Sequence, residues 1–457
     1  MEPDSPSSRS LNKSEVGTHL CVLIHGLWGS PKHLEYVESV LREKCTEYSL
    51  QILNVKSNSF SLTYDGIDVG GERVTYEVEE AIREASSDGE CAIKKLSIVG
   101  YSLGGLVGRY VAGLLYSKGY FEYIEPVNFT TFVTPHVGVR SPARQGHFWN
   151  VFGARTLSKS GRQLFMIDTF QDTGEPLLSI LAARESIFML GLAKFKRRTL
   201  YTNIINDRSA VYYTTSISKT DPFVDLDKIV IRYLEGHAPV ILDRDEPIIP
   251  KTESQSLLYQ IVSSVKSTLA SLPFRLLFVV VLTIATILFL INSAFQTIRS
   301  RRRIRLHHEG KSGIVYTTYR VPLIVEEFRN AVEDMYGTVN ATQQPEFVSD
   351  DDNRSLLEGE PSRAENDSHS HTTATNQSVP KQSIQDDSSQ SHFPTLALTQ
   401  AQFNAIDNLN SVGFRKYRVY IHNARHSHAA IIVRMARKSF DEGKIVVKHW
   451  VYEEFCQ

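Results

Sequence analysis

The sequence predicts an α/β fold with a mainly parallel sheet, and two observations carry this prediction. First, strand-like apolar runs at His19–Ile24, Leu50–Val55 and Lys95–Val99 alternate with stretches that have helical spacing. Second, the stretch from Ile98 to Gly108 has the pattern of a strand, a sharp turn and a helix. Strands that alternate with helices are joined by crossovers, which place the strands parallel to one another.

The composition excludes several classes of protein. The chain has 457 residues and a formal net charge of -1, so no global positive field indicates a nucleic-acid partner. Its four cysteines, Cys21, Cys45, Cys91 and Cys456, form no CxxC pair and no metal-ligand spacing. We therefore expect no metal, no organic cofactor and a reducing, cytosolic environment. Residues 1–14 lack the apolar stretch of a signal peptide and are expected to form a disordered tail.

A G-x-S-x-G motif at Gly100, Ser102 and Gly104 joins the strand and the helix of the central stretch. In this context the motif is typical of the nucleophile elbow of the α/β-hydrolase fold. A strained backbone lifts the serine hydroxyl clear of the sheet, and side chains at the two glycine positions would collide across so tight a bend. Ser102 is therefore the candidate nucleophile, and a purely structural turn is the alternative.

The oxyanion hole is expected to use the backbone N–H groups of Leu27 and Leu103. Leu103 opens the helix behind the serine, and the N-terminal end of a helix favours negative charge. Leu27 follows His25 and Gly26 in a turn after the first strand, where this fold places its second amide. Gly26 would let the backbone approach a substrate closely, and an ordinary turn is the alternative.

Asp207 is the candidate acid of a catalytic triad. It directly follows a strand expected at Arg198–Asn206, and a carboxylate at the end of a sheet strand is well placed to orient an imidazole. A lone Asp in a turn is usually a turn residue, but the order along the chain favours Asp207. Asp221 and Asp225 are its rivals.

The candidate base is one of two histidines, His426 and His428, that follow the last expected strand. Their position alone does not separate them. His136 follows the strand directly after the nucleophile, too early for the usual order, and is expected in a loop or a pocket wall. His369 and His371 are spaced like metal ligands, but no further cluster accompanies them.

Four segments are expected to interrupt or join the two parts of the hydrolase core, which lie at 15–251 and 396–457. A cap is expected at 139–198, where the chain has partly apolar, helix-like runs. A connecting region at 306–336 leads to a polar, acidic insertion at 337–395 that its composition predicts to be disordered.

The fourth segment is a membrane-associated helical segment at 252–305. Residues 252–272 have the spacing of an amphipathic helix, and the apolar run at 274–296 approaches the length of a membrane span. A buried core helix is the alternative for this run. Five arginines that follow it form a cluster suited to anionic lipid headgroups: Arg299, Arg301, Arg302, Arg303 and Arg305.

These motifs together give the chain a resemblance to the fungal serine-esterase and lipase family of α/β-hydrolases, especially to the yeast phospholipases found on lipid droplets. The matching stretches are Val22–Gly29, Tyr64–Asp68, Gly100–Gly105, Thr134–His136, Asn206–Arg208 and His428–Arg434. The resemblance implies hydrolysis of lipid acyl esters, with glycerophospholipids as the expected substrates. It also favours His428 over His426, because the histidine of the family stands just before the I-I-V-R run.

We therefore expect a serine lipase or phospholipase with the triad Ser102, Asp207 and His428, facing the cytosol on a lipid droplet or the endoplasmic reticulum. A monoacylglycerol or triacylglycerol lipase is one alternative, and an inactive membrane-bound scaffold is the other. A single crossing at 274–296 would separate Ser102 from His428, so we expect an insertion that does not cross. If the segment does cross, His237 is the expected substitute as base.

Overall fold

Six parallel strands form the central sheet of the computed structural model, which describes residues 18–45, 50–87, 92–139, 158–251, 291, 293–307, 309 and 393–457. The strands are β1 (Thr18–Ile24), β2 (Leu50–Asn54), β3 (Ile93–Tyr101), β4 (Glu125–Phe132), β5 (Arg197–Asn203), β6 (Ile229–Ile231), β7 (Ile248–Pro250) and β8 (Arg415–Val419). The central sheet has the order β2-β1-β3-β4-β5-β8, with every neighbouring pair parallel, and β6 and β7 form a separate antiparallel pair. The predicted α/β-hydrolase fold is confirmed.

Helices cover both faces of this sheet. They are α1 (Glu35–Lys44), α2 (Ile67–Ser87), α3 (Leu103–Ser117), α4 (Ser158–Leu164), α5 (Leu177–Ala182), α6 (Ile187–Ala193), α7 (Tyr212–Ser216), α8 (293–307), α9 (Gln400–Ser411), α10 (Ser427–Ala430) and α11 (Asp441–His449). One core cluster includes Val74 of α2 and Leu106 of α3, and a second includes Val37 of α1 and Val446 of α11. Because both faces are covered, β4 is buried along nearly its whole length.

Helix α2 begins at Ile67, whereas the glycine-rich sequence before it predicts a turn and a helix only from about Glu72. Gly70 and Gly71 lie inside the helix, where neighbouring side chains leave no room for a Cβ atom. A Cβ at Gly71 would lie 2.5 Å from the Cδ1 atom of Tyr110 in α3. These glycines therefore allow α2 to pack closely against its neighbours. In the sequence the same glycines indicate a turn, because glycine usually interrupts a helix.

The last part of the chain completes the sheet and covers one of its faces. Strand β8 pairs with β5, and α11 leads to a π-helical turn at Trp450–Glu454. The indole N–H of Trp450 is buried and donates to Thr130 Oγ1 at 3.0 Å. Glu454 accepts from Arg415 Nε and Nη2, each at 2.7 Å. The residues after 393 thus form part of the same hydrophobic core as the first half of the chain.

The range expected to form a cap contains α4, α5 and α6, while 140–157 lie outside the described residues. These helices pack on the side of the sheet that carries α3. The ring of Phe188 in α6 lies 4.8 Å from that of Tyr110 between centroids. The range also contains the beginning of β5, because that strand starts at Arg197.

Helix α8 is the described end of the expected membrane segment, and it packs against the hydrolase core. Its buried face contains Ser293, Ser300 and Arg303. Arg303 corrects one expectation, because it is bonded to the buried carboxylate of Asp65 and does not belong to the exposed basic cluster. A run of arginines in a sequence does not reveal which one meets a carboxylate from a distant part of the chain.

Other segments are covered only in part. Within the described residues, no helix combines the length and the apolar character needed to cross a membrane. The expected insertion at 337–395 is described only at its end, where Thr395 forms an antiparallel bridge with Thr220 and corrects the expected boundary. Several predicted features lie outside the described residues: 1–14, 252–272, most of 274–296, His369 and His371.

Candidate active site

Ser102 stands at the sharp turn between β3 and α3. Its backbone has φ 55° and ψ −125°, a conformation that residues other than glycine rarely adopt. The two motif glycines permit the bend. A Cβ at Gly100 would lie 2.3 Å from the Gly105 Cα, and a Cβ at Gly104 would lie 2.1 Å from the carbonyl oxygen of Ile24. The turn therefore requires glycine at both positions, as the elbow pattern predicts.

The side chains of Ser102, His428 and Asp207 form a continuous hydrogen-bonded series. His428 Nε2 lies 2.9 Å from Ser102 Oγ. His428 Nδ1 lies 3.0 Å and 2.9 Å from the two carboxylate oxygens of Asp207. With Nδ1–H donating to the carboxylate, Nε2 is left to accept the proton of the serine hydroxyl. This arrangement has the geometry of a nucleophile, a base and an orienting acid.

Asp207 is held by three further donors. Asn203 Nδ2 donates to Oδ2 at 3.1 Å, and the backbone N–H groups of Ser209 and Ala210 donate to Oδ1 at 3.1 Å and 2.9 Å. The Asp207 side chain is 2% exposed. Because a buried carboxylate is stabilised by hydrogen bonds to its charged form, these donors favour an anion that can orient and stabilise a histidine cation.

The loop that carries His428 is fastened to the turn that carries Asp207. The backbone N–H of Ser427 donates to the Asn206 carbonyl oxygen at 3.1 Å, and its hydroxyl donates to the Ile205 carbonyl oxygen at 2.9 Å. On the other side, the hydroxyl of Tyr101 donates to the carbonyl oxygen of His428 at 3.1 Å. These bonds fix the imidazole between the carboxylate and the serine.

A small cavity of about 50 Å³ opens at Ser102 and His428. Most of its lining is apolar and comes from Leu27, Trp28, Leu103, Pro135, Val139 and Leu164. Both residues expected to supply oxyanion-hole amides, Leu27 and Leu103, therefore lie at the same cavity as the serine hydroxyl. An apolar lining around a few polar groups suits the ester end of an acyl chain.

The turn that contains Leu27 packs directly against the nucleophile. A Cβ at Gly26 would lie 2.9 Å from the Cβ of Ser102, so only glycine fits there. The backbone N–H of Trp28 donates to Thr63 Oγ1 at 3.0 Å. Burial lowers the pKa of His25 to about 4, so this histidine is neutral near pH 7 and shapes the turn through its contact with Ser59.

The rival carboxylates have other partners. Asp221 accepts from the backbone N–H of Phe223, and burial raises the pKa of Asp221 to about 7. Asp225 caps a short 3-10 helix by accepting from the backbone N–H of Asp227, and it pairs with Lys228. The carboxylate that contacts His428 is that of Asp207.

The other histidines considered from the sequence lie at different places. His426 is the N-cap residue of α10. His136 is buried, and its Nε2 lies 3.0 Å from Thr131 Oγ1. His237 Nε2 lies 3.1 Å from Glu453. Among these residues, the structure brings only His428 into contact with Ser102.

Two supporting residues were not found from the sequence. Asn203 bonds to Asp207, and Tyr101 bonds to the backbone of His428. Asn203 carries a usable signal, because asparagine is unfavourable inside a strand and this one stands at the strand end nearest the candidate acid. Tyr101 carries none, since a tyrosine beside the nucleophile also fits an ordinary buried strand.

The comparison with protein families agrees with this geometry. Residues 14–220 match the family model described as "Putative serine esterase (DUF676)". This part of the chain is therefore similar to that serine esterase family. The match covers the elbow and Asp207 but ends before His428, so the family model does not include the candidate base.

Curated relatives are fungal and are described as lipases. "Putative lipase ROG1" of Saccharomyces cerevisiae is 27% identical over 240 residues, covering 50% of this chain and 33% of that protein. "Putative lipase C4A8.10" of Schizosaccharomyces pombe is 24% identical over 246 residues, covering 50% and 31%. The chain thus spans about a third of each relative. The resemblance to a fungal esterase and lipase family is confirmed, and the chain is similar to hydrolases.

Among solved structures, Aspergillus fumigatus lipase B is 16% identical, with a TM-score of 0.21 over 30% of this chain and 29% of that one. This overlap is too small to add to the assignment of the fold, which follows from the parallel sheet itself.

Proposed function

We propose that this protein is a serine lipase that hydrolyses acyl ester bonds of glycerophospholipids at a lipid-droplet or endoplasmic-reticulum surface. The observation that carries the proposal is the bonded series of Ser102, His428 and Asp207 at an apolar cavity. The fungal relatives described as lipases support the same class of reaction.

The reaction takes place in two steps. Ser102 Oγ attacks the carbonyl carbon of the ester while His428 Nε2 accepts the hydroxyl proton. The bond from the carbonyl carbon to the glycerol oxygen then breaks, and His428 returns its proton to that oxygen. A water molecule, deprotonated by the same imidazole, hydrolyses the acyl-serine and releases the fatty acid. Asp207 stabilises the imidazolium in both steps.

The oxyanion of each tetrahedral intermediate is assigned to the backbone N–H groups of Leu27 and Leu103. Leu103 is the first residue of α3, so the positive end of the helix dipole adds to its N–H. Removing one oxyanion donor costs enzymes of this kind about 10²- to 10³-fold in kcat. Position beside the nucleophile supports both assignments, since both residues line its cavity.

The surface of α8 supports a lipid partner. Two apolar residues of this helix, Phe295 and Ile298, are 55% and 68% exposed, and their spacing places them on one helical face. Arg301, Arg302 and Arg305 continue this exposed side toward the end of the helix. An apolar end that leads into a basic end fits a helix that passes from acyl chains into anionic headgroups.

The chain order supports an insertion that enters and leaves on the same side. Ser102 precedes the apolar segment and His428 follows it, yet their side chains are 2.9 Å apart. A protease-protection experiment on sealed organelles tests this topology with tags at residues 1 and 457. We expect both tags to be digested from outside, and protection of only one tag would show a true crossing.

The substrate is tested with full-length protein on vesicles or emulsions of a glycerophospholipid, a triacylglycerol and a monoacylglycerol. We expect fatty acid and lysophospholipid from the first substrate, together with labelling by a fluorophosphonate that is lost in Ser102→Ala. Hydrolysis of neutral glycerides alone would make the protein a neutral-lipid lipase. If the protein shows no hydrolysis and no labelling, the inactive scaffold becomes the explanation.

A further inference from the structure

Three side chains from distant parts of the chain converge at a place that the proposed reaction does not use. His237 Nε2 lies 3.1 Å from Glu453 Oε1, and His449 Nε2 lies 3.4 Å from Glu453 Oε2. The three ligand atoms all lie within 4.8 Å of one another. Among the described residues, no other group of three or more His, Cys, Asp or Glu side chains is as close.

Both imidazoles are oriented by bonds at their other nitrogen. His237 Nδ1 lies 3.1 Å from the Glu235 carbonyl oxygen, and His449 Nδ1 lies 2.7 Å from the hydroxyl of Tyr201. Their Nε2 atoms therefore both face the carboxylate of Glu453. Histidines that bind metals almost always have such a partner on the second nitrogen, because it fixes the tautomer and the direction of the lone pair.

The Nε2 atom of His449 is buried and lacks a hydrogen-bond partner. The residue is 2% exposed, and this atom makes no hydrogen bond despite its closeness to Glu453. A buried polar atom without a partner is costly, and a bound ion is one of the few arrangements that satisfies it. The atom points toward the carboxylate and the second imidazole, which together would surround a cation.

We propose that His237, His449 and Glu453 bind a divalent transition-metal ion, with Zn²⁺ as the best fit. Two imidazoles and one carboxylate form a donor set that zinc accepts, and bonds of about 2.1 Å need only small adjustments at Glu453 and at the loop of His237. The Glu453 side chain is 49% exposed, which gives the ion a path from solvent and leaves room for a water ligand.

Such an ion would join two elements that lie far apart along the sequence. His449 ends α11 and Glu453 lies in the π-helical turn that follows, so they stand four residues apart on adjoining turns. His237 belongs to the loop between β6 and β7. Turns of π-helix occur frequently at functional sites. The ion would clamp this loop to the C-terminal helix, so its expected role is structural.

The test uses full-length protein that has been treated with a chelator and dialysed. Titration with Zn²⁺, and with Co²⁺ followed by its visible absorption, measures affinity and stoichiometry directly. We expect saturation at about one ion per chain, a tetrahedral Co²⁺ spectrum and a higher midpoint of thermal unfolding. Binding that never reaches stoichiometry at micromolar metal would overturn the proposal.

Variants locate the site. His237→Asn and Glu453→Gln change side chains that are at least partly exposed, so the fold should be retained, as the circular dichroism spectrum would show. Each variant should weaken Zn²⁺ binding by about 100-fold or more. The matched control is His422→Asn. His422 pairs with Glu442 at 3.3 Å, and no third donor joins that pair within the described residues. Wild-type affinity in both ligand variants, or equal loss in the control, would show that the metal binds elsewhere.

Discussion

The guanidinium of Arg303 donates to both carboxylate oxygens of Asp65, although the two residues are 238 positions apart. The Nη2 atom lies 2.7 Å from Oδ1, and Nε lies 2.9 Å from Oδ2. Arg73 donates to the same carboxylate at 2.7 Å, and the three side chains are almost completely buried. Helix α8, which follows the apolar segment, is thereby attached to the core.

This attachment lies next to the turn of the expected oxyanion hole. Asp65 follows the short 3-10 helix Phe60–Tyr64, and Thr63 in that helix accepts from the backbone N–H of Trp28. The rings of Trp28 and Tyr64 also lie 6.2 Å apart between centroids. The anchor and the turn that contains Leu27 are therefore connected through a few bonded residues.

Arg303→Met is expected to release α8 and to weaken activity on lipid surfaces. Removing one partner of a buried ion pair costs about 3 kcal/mol, and Asp65 would keep only Arg73. We expect faster limited proteolysis within 293–307 and lower phospholipid turnover on vesicles. Turnover of a soluble short-chain ester should fall less. Arg302→Met, at an exposed position, is the control and should change proteolysis little.

Ser102→Ala and His428→Ala should each reduce ester hydrolysis by several orders of magnitude, and the double variant should be hardly worse, because the residues of a triad act as a unit. His426→Ala should keep most of the activity, since His428 is the histidine that contacts the serine. Rates of hydrolysis of a soluble ester by these variants test which histidine is the base. If His426→Ala were the inactive variant, the two histidines would have to exchange roles.

Gly104→Ala should destroy the elbow. The added methyl group would lie 2.1 Å from the carbonyl oxygen of Ile24, and a backbone atom cannot move aside as a flexible side chain does. We expect loss of fluorophosphonate labelling and a lower midpoint of thermal unfolding. Gly174→Ala is the control, because a Cβ there has no atom within 4 Å and only its positive φ adds a cost of about 1 kcal/mol. Normal labelling of Gly104→Ala would contradict the described bend.

Acid should destabilise the fold through His19. Burial, helped by Lys95, lowers the pKa of His19 from 6.5 to about 4. Above pH 6.5 the residue is neutral in both states, and as the pH falls toward 4 only the unfolded chain gains the proton. The free energy of unfolding should therefore decrease over this window, by about 3 kcal/mol from this residue.

His19→Gln isolates this contribution. Glutamine can still bond to Ser97 Oγ, which lies 2.7 Å from His19 Nε2, but it does not titrate. Urea unfolding at pH 7 and pH 4.5 should show a smaller loss of stability in the variant than in the wild type. An equal loss in both proteins would mean that other groups account for the acid sensitivity.

The features that the sequence predicts well depend on local chemistry. Ser102 is defined by the glycines at positions 100 and 104, which a tight bend requires wherever it occurs. Asp207 and the pair of histidines at 426 and 428 follow from the order of strands along the chain, because the carboxyl ends of parallel strands meet at one edge of the sheet. The choice of His428 within that pair comes from the family resemblance and not from the strand order.

The features that escape the sequence depend on distant partners. Arg303 is one of five similar arginines, and only its meeting with Asp65 distinguishes it. His237 stands more than 200 residues before His449, so no spacing rule joins them. The start of α2 differs from the sequence prediction for the same reason, because the glycine at position 71 makes room for the ring of Tyr110 and does not form a turn.

The position of β8 and His428 also controls when the site can exist during synthesis. Asp207 leaves the ribosome 221 residues before His428, and the apolar segment emerges between them. While that segment emerges, the growing chain therefore carries its nucleophile without a base and without the last strand of its sheet. A chain stalled before residue 415 should remain unlabelled by a fluorophosphonate, so completion of translation itself turns the nucleophile on.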